Sequence, residues 1–296
     1  MSLVIAPENP SRPSFVGVVS GISLNKPLEQ GAIEAIDRGM DQFAVLVFRD
    51  QPLSQDEQIN LSLQFGPLDS GLRKATGAPT RFKHDQLIDI GNVALDGSIA
   101  NKDNKKLIGV LANQLWHSDS TFQHLPVKYS MLSAVVVPEE GGQTQWTDLR
   151  AAWDALPEST KHYVEDKTGW HSAFHSRMML GDNDYSQEQL EKFPQVERPL
   201  VHIHPGSGRK VIFPSVHITQ VSDLTVPEGR LLVAELLEHA TQAQFIYSHI
   251  WRPGDYVMWD NRSTLHRGTR YDLSQRRDLR RTTTLERDFE LVEIAV

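Results

Sequence analysis

The residues best suited to chemistry in this chain are nitrogen and oxygen donors. There are twelve histidines and no cysteine, which removes thiolate metal sites, iron–sulfur clusters, disulfides and a cysteine nucleophile. Any metal must be held by His together with Asp or Glu. The first candidate group is Trp116-His117-Ser118-Asp119. In an extended segment, residues two apart face the same side, so His117 and Asp119 can share one ligand sphere. Spacing alone is a weak signal, because chance supplies roughly 0.9 His-x-Asp triplets in such a chain. A solvated loop pair would look the same.

The second candidate is His266, within Trp259-Asp260-Asn261-Arg262-Ser263-Thr264-Leu265-His266-Arg267-Gly268. Only a fold that joins distant strands could bring it to His117. Eight arginines follow between Arg262 and Arg287, in a chain of net charge −8. A solvated basic face would account for such a run. Strand periodicity offers a sharper account, since Arg277, Leu279, Arg281 and Thr283 fall on one face of a strand. Guanidiniums inside a barrel are costly unless each meets an anion, and their planar fork matches a carboxylate. Two histidines and one carboxylate form the facial triad of non-haem Fe(II) oxygenases, with positions left open. A nearby arginine is what a dicarboxylate cosubstrate would need.

The elements that must position these residues are short. Leu28 to Gln42 has Ile33, Ile36 and Met40 at helical spacing, and Phe43 to Phe48 reads as a buried strand. Ser54-Gln55-Asp56-Glu57 is a capping box opening a helix through about Phe65. Further helices are expected after Thr147, from Pro157, and over Glu228 to Thr241. Tyr129 to Val137, Lys210 to Phe213, Tyr256 to Asp260 and Leu279 to Leu285 read as strands between turn signals. Many short strands with a few covering helices suggest an α+β protein built on a β-barrel or sandwich, in one domain over residues 1–296. The acidic balance argues against nucleic acid as partner. Apolar runs far too short for a membrane span argue against a membrane. The prolines of Met1 to Ser14, with no signal-like core, point to a cytoplasmic protein.

In its longer motifs the sequence resembles the taurine/2,4-dichlorophenoxyacetate family of Fe(II)- and 2-oxoglutarate-dependent dioxygenases, on its aryloxyacetate side. The resemblance runs from about Phe15 to Arg287. It is carried by Phe43 to Arg49, Asn113 to Ser120, Met258 to Arg262, Leu265 to Gly268 and Arg276 to Arg281. It implies a double-stranded β-helix (jelly-roll) core with flanking helices. It also implies His117, Asp119 and His266 as iron ligands. Arg277 would bind the remote carboxylate of 2-oxoglutarate and Thr144 would hydrogen-bond it. Arg281 and Asn113 would meet the substrate, with Lys74, His204 and His217 around its carboxylate. O2 would be the oxidant, and the chain would form a homo-oligomer, in the form of a dimer.

The substrate it implies is a small carboxylate, an aryloxyalkanoate first and an alkyl sulfonate or sulfate such as taurine second. A cupin-like metal protein without oxygenase turnover is the remaining alternative. Phe213-Pro214-Ser215 and Trp170 to His175 depart from the pattern of the aryloxyacetate enzymes. Both segments are expected to border the pocket, so substrate choice would differ there while the iron chemistry stays.

Overall fold

The computed structural model describes residues 3–70, 77–101, 104 and 106–286. Lys74 therefore lies outside the described residues. The largest sheet has seven strands. In spatial order these are Val4–Pro7 (β1), Val16–Ser20 (β2), Val45–Phe48 (β3), Tyr256–Asp260 (β13), Val127–Val136 (β5), Asp278–Leu285 (β15) and Ile88–Gly91 (β4). All neighbours are antiparallel except β2 and β3. A second sheet is ordered Ile246–His249 (β12), Thr144–Asp148 (β6), Thr264–Gly268 (β14). Two smaller sheets flank it: Ile218–Val221 (β11), Thr168–His171 (β7) and Val196–Pro199 (β8), then Lys210–Ile212 (β10) with Val201–Ile203 (β9).

Period-2 alternation divides the large sheet into two faces. Val45, Val47, Leu132, Val257, Trp259 and Leu279 pack inward against Trp146 and Tyr247 of the second sheet. Leu46, Phe48, Met131, Tyr256 and Met258 face outward, where they pack against Ile36, Met40 and Phe43 of the helix Gln30–Phe43. Trp146 and Trp259, both fully buried, meet edge-on at 5.5 Å in the inner layer, an arrangement worth about 0.5–1.5 kcal/mol beyond burial. A third cluster joins Leu149, Trp153, Leu232 and Leu236 of two covering helices to Val211, Ile212 and Ile218 of the small sheets.

The expected elements are present, with shifted ends. Phe43 is the last residue of the first helix rather than the first of the strand. Ala44 follows at φ 61°, its N–H donating to the Met40 carbonyl, so the chain turns from helix to strand within one left-handed residue. The capping box at Ser54 forms as expected, with Glu57 N–H on Ser54 Oγ at 3.2 Å and Ser54 N–H on Glu57 Oε2 at 2.7 Å. The helix spans Gln55–Leu63. The long helix runs Val226–Ala240, starting earlier than expected because Thr225 and Glu228 form a second capping box. Leu149–Asp154 and Glu158–Val164 are the two helices expected around Pro157.

Candidate active site

His117 lies just before the short turn that leads to β5, and His266 lies in the middle of β14. The two form an isolated antiparallel bridge: His117 N–H donates to the His266 carbonyl at 3.1 Å and His266 N–H to that of His117 at 2.7 Å. Backbone pairing thus brings together histidines that are remote in sequence, with their rings 4.3 Å apart. Asp119 completes the set, at 4.0 Å from His117 Nε2 and 3.7 Å from His266 Nε2. All three are buried, and their ligand atoms lie within 4.8 Å of one another.

The tautomer and charge of each group suit a cation. His117 Nδ1 donates to the Leu115 carbonyl at 2.7 Å, so its Nε2 carries the free lone pair. Burial pushes His117 below the ordinary imidazole range, against the pull of Asp119, and holds His266 well below it. Both rings are neutral at neutral pH. Burial alone would raise Asp119; the Arg281 guanidinium, the two histidines and the Ser130 hydroxyl outweigh it and hold the carboxyl at about 2. The donor set is therefore two neutral imidazoles and one carboxylate, which fits Fe(II).

Residues without an assigned role in the sequence hold Asp119 in place. Ser130 Oγ donates to Asp119 Oδ2 at 2.7 Å, and Asn261 Nδ2 donates to Ser130 Oγ at 2.9 Å. Asn261 Oδ1 accepts the Asp119 N–H at 3.3 Å. Ser130 projects from the inner face of β5, with the Thr283 hydroxyl 3.1 Å away across the sheet. Strand alternation could have placed Ser130 on that face, but nothing local pairs it with Asp119. Arg281, predicted on the same face of β15 as Leu279 and Thr283, donates from Nη1 to Asp119 Oδ1. The anion it meets in this structure is the carboxylate of the buried His–Asp–His group itself.

A cleft opens on one side of the triad, lined by His117, Thr144, His266, Tyr271, Arg277 and Arg281, among others. Arg277 sits one residue before β15, where it donates to the carbonyls of Ile90 at 2.9 Å and Gly142 at 3.3 Å. Burial lowers its pKa to about 10, so it stays charged, and among the described residues no carboxylate pairs with it. A buried cation left this way is costly unless an anion arrives. Gly142 permits the arrangement. Its φ is +66°, and a Cβ there would lie 2.9 Å from Pro138 Cγ and 3.4 Å from Arg277 Nε. Thr144 faces the same cleft, and Trp251 Nε1 donates to its Oγ1 at 3.0 Å. With that acceptor position taken by a group that can only donate, the Thr144 hydroxyl proton is free for an anion. Trp251, separated from Thr144 by 107 positions, carried no sequence signal.

A second cavity is lined by Asn113, Phe122, Arg177, Val216, His217 and Arg281, together with His117 and Asp119. Asn113 borders both spaces. His217 stands edge-on to Phe122 at 5.1 Å and to His117 at 6.0 Å. Burial, reinforced by His117, keeps His217 neutral. His204 is not brought to either space. It is fully buried, with Nε2 on Asp260 Oδ2 at 3.0 Å and Nδ1 accepting the Ser207 N–H at 3.0 Å. Both ring nitrogens are occupied, so its place among the substrate contacts is corrected to a structural one. The departing segments need correction too. Phe213 and Ser215 border other cavities, whereas Val216 and His217 reach this one. Trp170 to His175 stop short of it; Ser176 and Arg177 line it.

Comparison with known proteins agrees with this geometry. Residues 8–283 match the family described as taurine catabolism dioxygenase TauD, TfdA family. The chain is 53% identical over 278 residues to the alpha-ketoglutarate-dependent 2,4-dichlorophenoxyacetate dioxygenase of Cupriavidus pinatubonensis, covering 94% of this chain and 97% of that protein. It is 37% identical to the (S)-phenoxypropionate/alpha-ketoglutarate-dioxygenase of Sphingobium herbicidovorans, covering 89% of each. Among solved structures it is similar to AAD-2 in complex with Mn(II) and N-oxalylglycine, with a TM-score of 0.90 and 42% identity. That likeness covers 96% of this chain and 98% of the other.

Proposed function

Since this chain belongs to the TauD, TfdA family of dioxygenases, we infer that it is an Fe(II)- and 2-oxoglutarate-dependent dioxygenase acting on an aryloxyalkanoate such as 2,4-dichlorophenoxyacetate. The observation that carries the reading is the pairing of a buried His117–Asp119–His266 triad with Arg277, a buried cation awaiting an anion in the adjoining cleft. A cupin-like protein without turnover would have no use for Arg277 facing Thr144. An alkyl sulfonate or sulfate is less favoured, because the 53% and 37% identities are to enzymes named for aryloxyalkanoates. The seven-stranded sheet packed over β12, β6 and β14 supports a double-stranded β-helix core.

Fe(II) with 2-oxoglutarate supplies the oxidising power, coupling O2 activation to decarboxylation of the cosubstrate to succinate and CO2. The chain's residues hold and orient. His117, Asp119 and His266 would hold the metal through two imidazole nitrogens and one carboxylate, a donor set that would leave positions for exchangeable ligands. Arg277 and the Thr144 hydroxyl receive the remote carboxylate, fixing which end of the cosubstrate reaches the metal. Ser130 and Asn261 keep Asp119 from rotating. Arg281 and Asn113, with His217, orient the substrate so that one C–H is presented. Positioning rather than acid–base catalysis is the protein's contribution. Hydroxylation next to the ether oxygen gives a hemiacetal that collapses to a phenol and glyoxylate. One oxygen atom of O2 ends in succinate and the other in the hydroxylated carbon.

The test is incubation with Fe(II), 2-oxoglutarate and 2,4-dichlorophenoxyacetate in air. Succinate, 2,4-dichlorophenol and glyoxylate are expected in equal amounts. No succinate release across a panel of aryloxyalkanoates, sulfonates and sulfate esters would overturn the reading.

A further inference from the structure

The substrate-side cavity contains a cation that the reaction described above does not use. Asp119 and Arg281 form an ion pair. Arg177 is the remaining charge on the wall. It lies in the short helix His175–Met178, half-buried, with Nη1 donating to the Ala173 carbonyl at 3.0 Å. Among the described residues no carboxylate forms an ion pair with it. Asp182, whose N–H donates to the Arg177 carbonyl, gives its carboxylate to the Tyr185 hydroxyl at 2.6 Å.

An anion entering this space meets a carboxylate, Asp119, whose charge Arg281 already balances. A further positive group is what would make entry favourable, and a guanidinium does so with directional hydrogen bonds. We propose that Arg177 is a specificity-determining residue, which with Arg281 forms a two-arginine receptor for the acidic group of the substrate. The aromatic part of the same molecule then rests against Phe122 and His217, which line the same cavity. This assignment rests on the aryloxyalkanoate reading above and adds a residue to it. Arg177 selects acids over neutral molecules of equal shape.

The test compares phenoxyacetate with the neutral phenoxyacetamide. Binding to the full-length protein loaded with Mn(II) and 2-oxoglutarate is measured by calorimetry, then kcat and KM with Fe(II). Arg177→Ala is expected to weaken phenoxyacetate binding by about 10–100-fold, the range for a hydrogen bond to a charged group. The effect should appear in KM more than in kcat. Arg177→Lys should recover part of the loss, phenoxyacetamide should bind all variants alike, and 2-oxoglutarate affinity should not change. If Arg177→Ala fails to fold, Arg177→Gln removes the charge while keeping a donor for Ala173. Unchanged phenoxyacetate affinity, or equal loss for acid and amide, would overturn the assignment and leave the aryloxyalkanoate reading standing. A loaded wild-type protein that binds no aryloxyalkanoate would overturn both.

Discussion

The two spaces on either side of the triad are built differently. The cleft holding Arg277 and Thr144 is framed by hydrogen-bonded strands: Thr144 pairs with His249 and Gly268 in the second sheet, and Arg277 is anchored at the start of β15. In the cavity, Arg177, Phe122 and His217 come from connections and a one-turn helix, while Ile88 of β4 and Arg281 of β15 complete the wall. Strands joined on both edges move little, so the cleft suits a cosubstrate that never changes. Connections can be lengthened or exchanged without disturbing a sheet, so the cavity suits the variable partner. The electrostatics follow the same division. Among the described residues Arg277 in the cleft has no carboxylate partner, whereas the cavity wall carries the Asp119–Arg281 pair and the half-buried Arg177.

The comparison can be broken in several ways. The largest effect is expected at the shared boundary. His117→Ala should weaken Fe(II) binding by at least about 100-fold, since outer partners of a metal ligand alone are worth 10–100-fold. All substrates should suffer equally, measured by metal titration and succinate release. Arg277→Ala should raise the 2-oxoglutarate requirement by about 100-fold through loss of two charge-assisted bonds, with substrate preference unchanged. An altered ranking of substrates in that variant would mean the two spaces are not separable.

A pH test addresses the cavity side. His171 of β7, its Nδ1 2.8 Å from Thr121 Oγ1, is pushed by burial to about 3. The unfolded chain binds this proton near pH 6.5 and the folded chain does not. Its contribution is therefore complete above that pH and is lost as pH falls toward 3. At pH 5 the metal-free protein should have lost on the order of 2 kcal/mol from this residue alone. Urea midpoints at pH 7 and pH 5, in wild type and His171→Gln, check it; an equal drop in both would remove His171 as the cause. Asp119 also loses its contribution as pH falls, but only below its ordinary carboxylate range, outside this window.

Smaller effects sharpen the division. Phe122→Ala should change the preference between aryl and alkyl substrates by about tenfold, with 2-oxoglutarate affinity intact. Trp251→Phe should cost only about 2–10-fold in 2-oxoglutarate affinity, one ordinary hydrogen bond. In a Thr144→Val background the same change should do nothing further. Additive losses would place Trp251 in packing rather than in orienting the Thr144 hydroxyl.

Local signals carried much of this molecule. The capping box at Ser54, alternation along β15 and the pattern around His117 and His266 all depend on residues close in sequence. They therefore survive being read one segment at a time. The sequence alone determined that any metal would be held by nitrogen and oxygen. It also determined that Arg277, Leu279, Arg281 and Thr283 would share one face, because side chains alternate along any strand. Even so, Phe43 was assigned to the wrong element, because a left-handed Ala44 has no sequence marker.

The tertiary structure decided which of the competent residues meet. His204 and His217 are equally plausible in the sequence. One has both nitrogens taken by Ser207 and Asp260, and the other faces the cavity beside His117. Ser130, Asn261 and Trp251 gain their places from contacts across 11 to 153 positions, and Arg177 from a one-turn helix that lines the cavity. Such contacts depend on how sheets stack and where connections return. No period of two or of 3.6 residues encodes that, so only the folded chain shows which side chains share a wall.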